Sequence, residues 1–169
     1  MSTGCHYAEF EIMDTGAIIG VCDVRHDPSQ FGSPADGLAG WGLFTRKGTG
    51  VHNSQKGIEW PGRQGMTQPR SADIAEPGSG KEMPVRLTWA ALPGERIGLK
   101  LDCDEGTLSV FRNGTAFGVL FTDAGLTASE LCWMVAVEAG EAVRIHSDAE
   151  EPEPWHGDFT DEGTTRTLN

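Results

Sequence analysis

Gly94–Gly118 reads G-E-R-I-G-L-K-L-D-C-D-E-G-T-L-S-V-F-R-N-G-T-A-F-G, and this stretch decides the fold. Arg96 to Asp102 alternates apolar and polar side chains, the period of two that marks a half-buried strand. Asp104-Glu105-Gly106 is a turn signal, and Thr107 to Arg112 alternates again. Asn113-Gly114 follows, the strongest short hairpin signal, because a type I′ turn needs positive φ at both central residues. Thr115 to Phe121 is the return strand. Three strands and two tight turns within one short segment predict an antiparallel meander. Leu108 and Val110 share one face of its middle strand. Phe111 falls on the other face and needs a separate cover, for which Phe117 and the C-terminal tail are candidates.

The pattern extends in both directions. Ala8 to Met13 alternates apolar with acidic residues, and Ala17 to Val24 is a short apolar run; both read as strands. Residues 25–40, R-H-D-P-S-Q-F-G-S-P-A-D-G-L-A-G, form a long loop rich in Pro, Gly, Ser and Asp. Trp41 to Thr45, Val51 to Asn53, Val85 to Leu92, Leu131 to Val137 and Ala142 to Ile145 add further strands. Ala124 to Glu130 allows one helical turn, and nothing longer has a period of 3.6. Residues 54–83 show little periodicity and read as an irregular insertion.

Composition narrows the function. The chain has 169 residues, room for one domain and a tail, and a formal charge of −12. Residues 148–169 hold seven acids against Arg166 alone, so half of that charge lies in the tail. An acidic surface repels phosphate, which argues against nucleic acid and against an anionic membrane face. No apolar run approaches the ~20 residues of a membrane span, and residues 1–20 lack the charged and apolar blocks of a leader. Cys5, Cys22, Cys103 and Cys132 have no C-x-x-C spacing, so zinc has no support. Three of them sit in apolar runs, as reduced thiols do, pointing to an intracellular, cytoplasmic setting.

Several segments, in order, resemble the SPRY domain family. Gly4–Ile12 (G-C-H-Y-A-E-F-E-I) resembles its first strand, Ala17–Cys22 (A-I-I-G-V-C) its I-G-V strand, and Gly40–Phe44 with Gly50-Val51-His52 its next pair. Gly94–Gly118 is the densest match, and Leu131–Ile145 resembles the last strand pair. The resemblance implies an all-β, two-layer antiparallel bent β-sandwich, of the concanavalin-like jelly-roll kind, over residues 1–147. Residues 148–169 form an acidic tail. It also implies a protein-protein interaction module that grips a peptide or protein through loops at one edge, as part of a larger assembly, without cofactor or catalysis.

The binding edge implied by the resemblance corresponds to Arg25–Gly40, Val51–His52 and Glu138–Gly140. Where peptide-binding members carry aromatics, this chain has Val51 and Ala139. Arg25, Asp27 and Phe31 in the loop and Trp60 in the insertion are therefore the expected anchors. Trp60, in W-P-G, reads equally as a core residue. Trp155 and Phe159, spaced among acids, suit a partner with a basic surface, or tack back onto the sandwich. A lectin-like carbohydrate-binding sandwich is the alternative reading, since the 25–40 loop sets Phe31 near Asp27 and Asp36. Asp102-Cys-Asp-Glu lacks the later acids of a calcium loop, and Gly78-Ser-Gly-Lys81 lacks the Ser or Thr of a phosphate loop. No G-x-S-x-G elbow or close histidine pair suggests an enzyme or a metal site.

Overall fold

A computed structural model describes residues 1–14, 16–25, 40–53, 55–66, 68–69, 87–88 and 90–153. The strands are β1 (Cys5–Ile12), β2 (Ile18–Asp23), β3 (Gly40–Phe44), β4 (Thr49–His52), β5 (Gln55–Ile58), β6 (Gln68–Pro69), β7 (Leu87–Thr88), β8 (Arg96–Asp102), β9 (Thr107–Arg112), β10 (Thr115–Thr122), β11 (Leu131–Ala136) and β12 (Val143–His146). A 3-10 helix spans Pro61–Met66, and α1 is the single turn Gly125–Ala128. The predicted Val85–Leu92 strand survives as the short β7; Trp89 lies outside the described residues.

Ten of these strands make two antiparallel five-stranded sheets, ordered β10-β9-β8-β1-β12 and β11-β2-β3-β4-β5, and β6 pairs with β7 alone. The meander of the decisive stretch forms three of the five strands of the first sheet. Its Asn113-Gly114 turn has φ of 48° and 81°, the two positive angles that a type I′ turn requires.

Alternation sends one face of each sheet inward. Ala8, Phe10, Ile12, Ile97, Leu99, Leu101, Leu108 and Val110 meet Ile19, Val21, Leu43, Trp41 and Leu131 in one buried cluster. Phe10 and Trp133 touch edge to face across the layers, with centroids 5.9 Å apart. Their quadrupoles favour that arrangement over stacking.

The outer face of the first sheet carries ion pairs of Arg96 with Glu9 and Arg144 with Glu11, and His146 Nε2 lies 3.1 Å from the same Glu11 carboxylate. The His146 hydrogen bond, aided by Arg144, holds the Glu11 carboxyl below its usual range. Phe111 finds cover here in Tyr7, whereas Phe117 packs against the core instead. The Tyr7 ring meets Phe111 edge-on at 5.5 Å. Tyr7 reaches it by lying over Gly98, where a Cβ would come within 2.1 Å of the Tyr7 hydroxyl. The first residues of the acidic segment do return to this face: Lys100 Nζ donates to Glu151 at 2.8 Å.

One charged pair is buried at the end of the sandwich. Arg112, 4% exposed, donates through Nε and Nη2 to both oxygens of Glu95, at 3.2 and 2.6 Å. Glu95 also accepts from the Leu92 amide and the Asn113 side chain, so one carboxylate ties the 92–95 turn to the hairpin. Removing one partner strands a buried charge. Glu95→Ala is expected to cost about 3–5 kcal/mol in chemical denaturation, far more than an exposed pair is worth.

Candidate functional site

The two ends of the second sheet differ in chemistry. At one end the 25–40 loop leaves after β2 and returns into β3. Trp41 lies opposite His52 in the β3–β4 ladder, and the two rings stack with centroids 4.9 Å apart. His52 Nδ1 sits 3.0 Å from the Gly40 carbonyl oxygen, which can only accept, so this nitrogen carries the proton. Nε2 then accepts from Asn53 Nδ2 at 2.9 Å, and Asp123 Oδ2 lies 3.8 Å from the same nitrogen. Phe121 flanks the imidazole at 6.1 Å. The imidazole is thus oriented on three sides and remains about a quarter exposed.

The Trp41 indole is pinned from beneath by α1, where a Cβ on Gly125 would come within 2.6 Å of its ring. Asp123 shapes that turn by accepting from the Gly125 amide at 2.7 Å. Trp41 Nε1 is buried and, with Thr49 Oγ1, has no hydrogen-bond partner among the described residues.

Acids crowd the same end. Asp23 accepts from the backbone and guanidinium of Arg25, and these bonds hold its carboxyl well below the usual range. Asp102, Asp104 and Glu105 form the β8–β9 turn, joined to Asp123 through the Asp123 amide and the Gly106 carbonyl. Amides of Asp104 and Glu105 donate to Asp102 and lower its carboxyl too. The turn is held by its own backbone. Glu130 follows α1 and is exposed.

The opposite end holds Glu138–Gly140. In the β2–β11 register Leu131 faces Asp23 and Ala136 faces Ile18, so the β11–β12 turn lies at the far end of β2 from Arg25. Six residues of strand separate them by about 17 Å. Glu141 caps that turn by accepting from the Glu138 amide and pairs with Arg46 at 3.4 Å.

The expected three-part edge is therefore split. Arg25 and His52 stand together; Glu138, Ala139 and Gly140 do not join them. Val51 is 1% exposed and packs with Ile18 on the outer face of the second sheet, beside Phe44, Met134 and Ala136. It is a packing residue. Trp60 is also corrected: it is 5% exposed, its Nε1 donates to the Gly48 carbonyl at 2.8 Å, and it belongs to the core. Asp27, Phe31, Trp155 and Phe159 lie outside the described residues.

The sequence reading missed Trp41, Phe121 and Asp123 as the setting of His52. Nothing local signals them, because they come from two other strands and a turn. It also missed β5 and the 3-10 helix inside the supposed irregular insertion. Pro61 was an available signal, since Pro favours the first helical position. Gly62 lets that helix press on β10: a Cβ there would meet the Phe117 carbonyl at 2.1 Å.

Two five-stranded antiparallel sheets that bury their facing sides against each other make a β-sandwich. A sequence model of the SPRY domain matches residues 5–149, nearly the whole chain, and the chain belongs to the SPRY family. Its fold matches 133 chains of solved structures. One is the crystal structure of the SPRY domain of human HERC1, 20% identical, with 87% of this chain and 77% of that one covered and a TM-score of 0.56. No curated protein sequence matches. SPRY domains are in general non-catalytic protein-interaction modules. No helix among the described residues is long and apolar enough to cross a membrane.

Trp60 in the core and His52 at the candidate site separate by measurement. Trp60→Ala should lower stability by about 3–5 kcal/mol, as a buried Trp does when truncated. His52→Ala, at a part-exposed surface ring, should cost about 1 kcal/mol or less in the same denaturation experiment.

Proposed function

We propose that this SPRY domain binds an extended, basic segment of a protein partner at the His52 end of the sandwich. The supporting observation is the convergence there of the oriented Trp41–His52 stack with Asp23, Asp102, Asp104, Glu105, Asp123 and Glu130. The ends of the 25–40 loop flank the same ground. Of the cations beside them, Arg25 is engaged by Asp23 and the Met1 ammonium by the Leu131 carbonyl. Electrostatic attraction draws in a cationic segment and speeds its capture. The imidazole, about a quarter exposed, backed by indole and flanked by Phe121, offers a flat surface on which an aliphatic or guanidinium group packs. Asp27 and Phe31 of the loop, and the acidic segment carrying Trp155 and Phe159, would extend the contact. The module recruits its partner rather than transforming it, and the setting is intracellular, within a larger assembly.

The test is selection of random peptides displayed on phage against the full chain. Selected sequences should be enriched in Lys and Arg, bind less well as salt rises, and lose at least tenfold in affinity to a Glu105→Lys/Glu130→Lys variant with an unchanged melting temperature. A neutral or acidic consensus, or peptides indifferent to the reversal, would sink the proposal. A glycan array run beside it would favour the carbohydrate reading if it alone gave binders.

A further inference from the structure

Cys22 and Cys132 stand directly opposite each other on β2 and β11. Their Sγ atoms are 3.7 Å apart, and both side chains are partly exposed. The phase of the ladder is fixed twice. Val24 donates to Glu130 two residues further along, so Cys22 and Cys132 fall on another hydrogen-bonded pair. Leu131, between them, turns its own N–H and C=O to Met1, on the other side of β11. Hydrogen-bonded antiparallel pairs have Cα atoms about 5.5 Å apart, inside the range of roughly 4.4–6.8 Å that disulfides span. The next position in this row, on β3, is Gly40, where a Cβ would come within 3.1 Å of Cys22 Cβ. No third side chain covers the thiols from that strand. They lie on the outer face of the sheet, apart from the core.

We propose that Cys22 and Cys132 form a dithiol modification site that low-molecular-weight disulfides convert to a cross-strand disulfide. One cysteine thiolate attacks a sulfur of oxidised glutathione, the glutathione S–S bond breaks, and one glutathione leaves as thiolate. The second cysteine attacks the protein sulfur of that mixed disulfide and releases the other glutathione. Two protein thiols lose two protons and two electrons, and one oxidised glutathione becomes two reduced molecules.

Opposed Cβ atoms in a ladder are about 4.5–5.5 Å apart, against a mean near 3.8 Å in disulfides. Closure therefore draws β11 toward β2 by about 1 Å, and the resulting strain keeps the bond reducible. Burial and the hydrogen bond with Cys132 push the Cys22 thiol up to about 12. The thiolate is scarce at neutral pH, so the exchange accelerates as the solution becomes alkaline.

The experiment uses the full chain carrying Cys5→Ser, which removes the exposed thiol of the other sheet. It is incubated with oxidised glutathione and followed by intact mass and tandem mass spectrometry. The expected product is about 2 Da lighter, with Cys22 linked to Cys132, forms faster at higher pH, and reverts with dithiothreitol. Adding Cys132→Ser should abolish it. A linkage through Cys103, a glutathione adduct that persists on Cys22 or Cys132, or no loss of thiol would overturn the proposal. If the second variant does not fold, the linked peptide in the first one decides.

Discussion

Everything in the molecule depends on two twisted sheets finding enough apolar surface on each other's inner faces. Phe10, Ile97, Leu99, Leu108 and Val110 supply one face; Ile19, Val21, Leu43 and Leu131 supply the other. Each such side chain gains roughly 1.5–3 kcal/mol from full burial, set against the conformational entropy of ordering it. Because strand side chains alternate, this inward set also fixes what faces outward. A one-residue slip in β8 would bring Lys100 and Asp102 into the core, so the register is tightly specified. The Tyr7–Phe111 contact, the Glu9 and Glu11 ion pairs and the Cys22–Cys132 pair are all outward consequences of that inward choice.

The strands were legible because their signals are local. Alternation in Arg96–Asp102 and Thr107–Arg112 and the Asn113-Gly114 turn sit within a few residues of each other, and the observed boundaries of β8 and β9 coincide with them. The family resemblance located the same elements by order. What the sequence hid was assembly across distance. Trp60, beside Pro61 and Gly62, read equally as a loop anchor and as a core residue, and the indole finds its acceptor twelve residues back, at Gly48. The neighbours of His52 come from β3, β10 and the turn before α1. The placement of Glu138–Gly140 follows from strand direction alone: β11 runs antiparallel to β2, so its exit lies opposite the exit of β2.

The site therefore combines a fixed part and a variable part. The Trp41–His52 stack is set by ladder pairing and by a glycine beneath the indole, so its geometry is rigid before any partner arrives. Such preorganisation lowers the entropic cost of binding. The acids beside it act over a longer range, and Arg25 neutralises only one of them directly. Under the proposed function, affinity and orientation draw on different residues: the stack supplies a surface, and the carboxylates supply attraction that salt weakens.

The separation of the two ends has a consequence for how such a domain tolerates change. The Arg112–Glu95 clamp and the Glu141–Arg46 pair secure the end remote from His52. Sites farther apart than about 7–10 Å with no shared partner contribute to stability almost independently. Substitutions around His52 can accumulate without drawing on the clamp, and the distal turn at Glu138–Gly140 can carry a label or a fused domain without reaching the His52 end. The sandwich is in that respect an insulator, with one pole open to sequence drift and the other holding the fold.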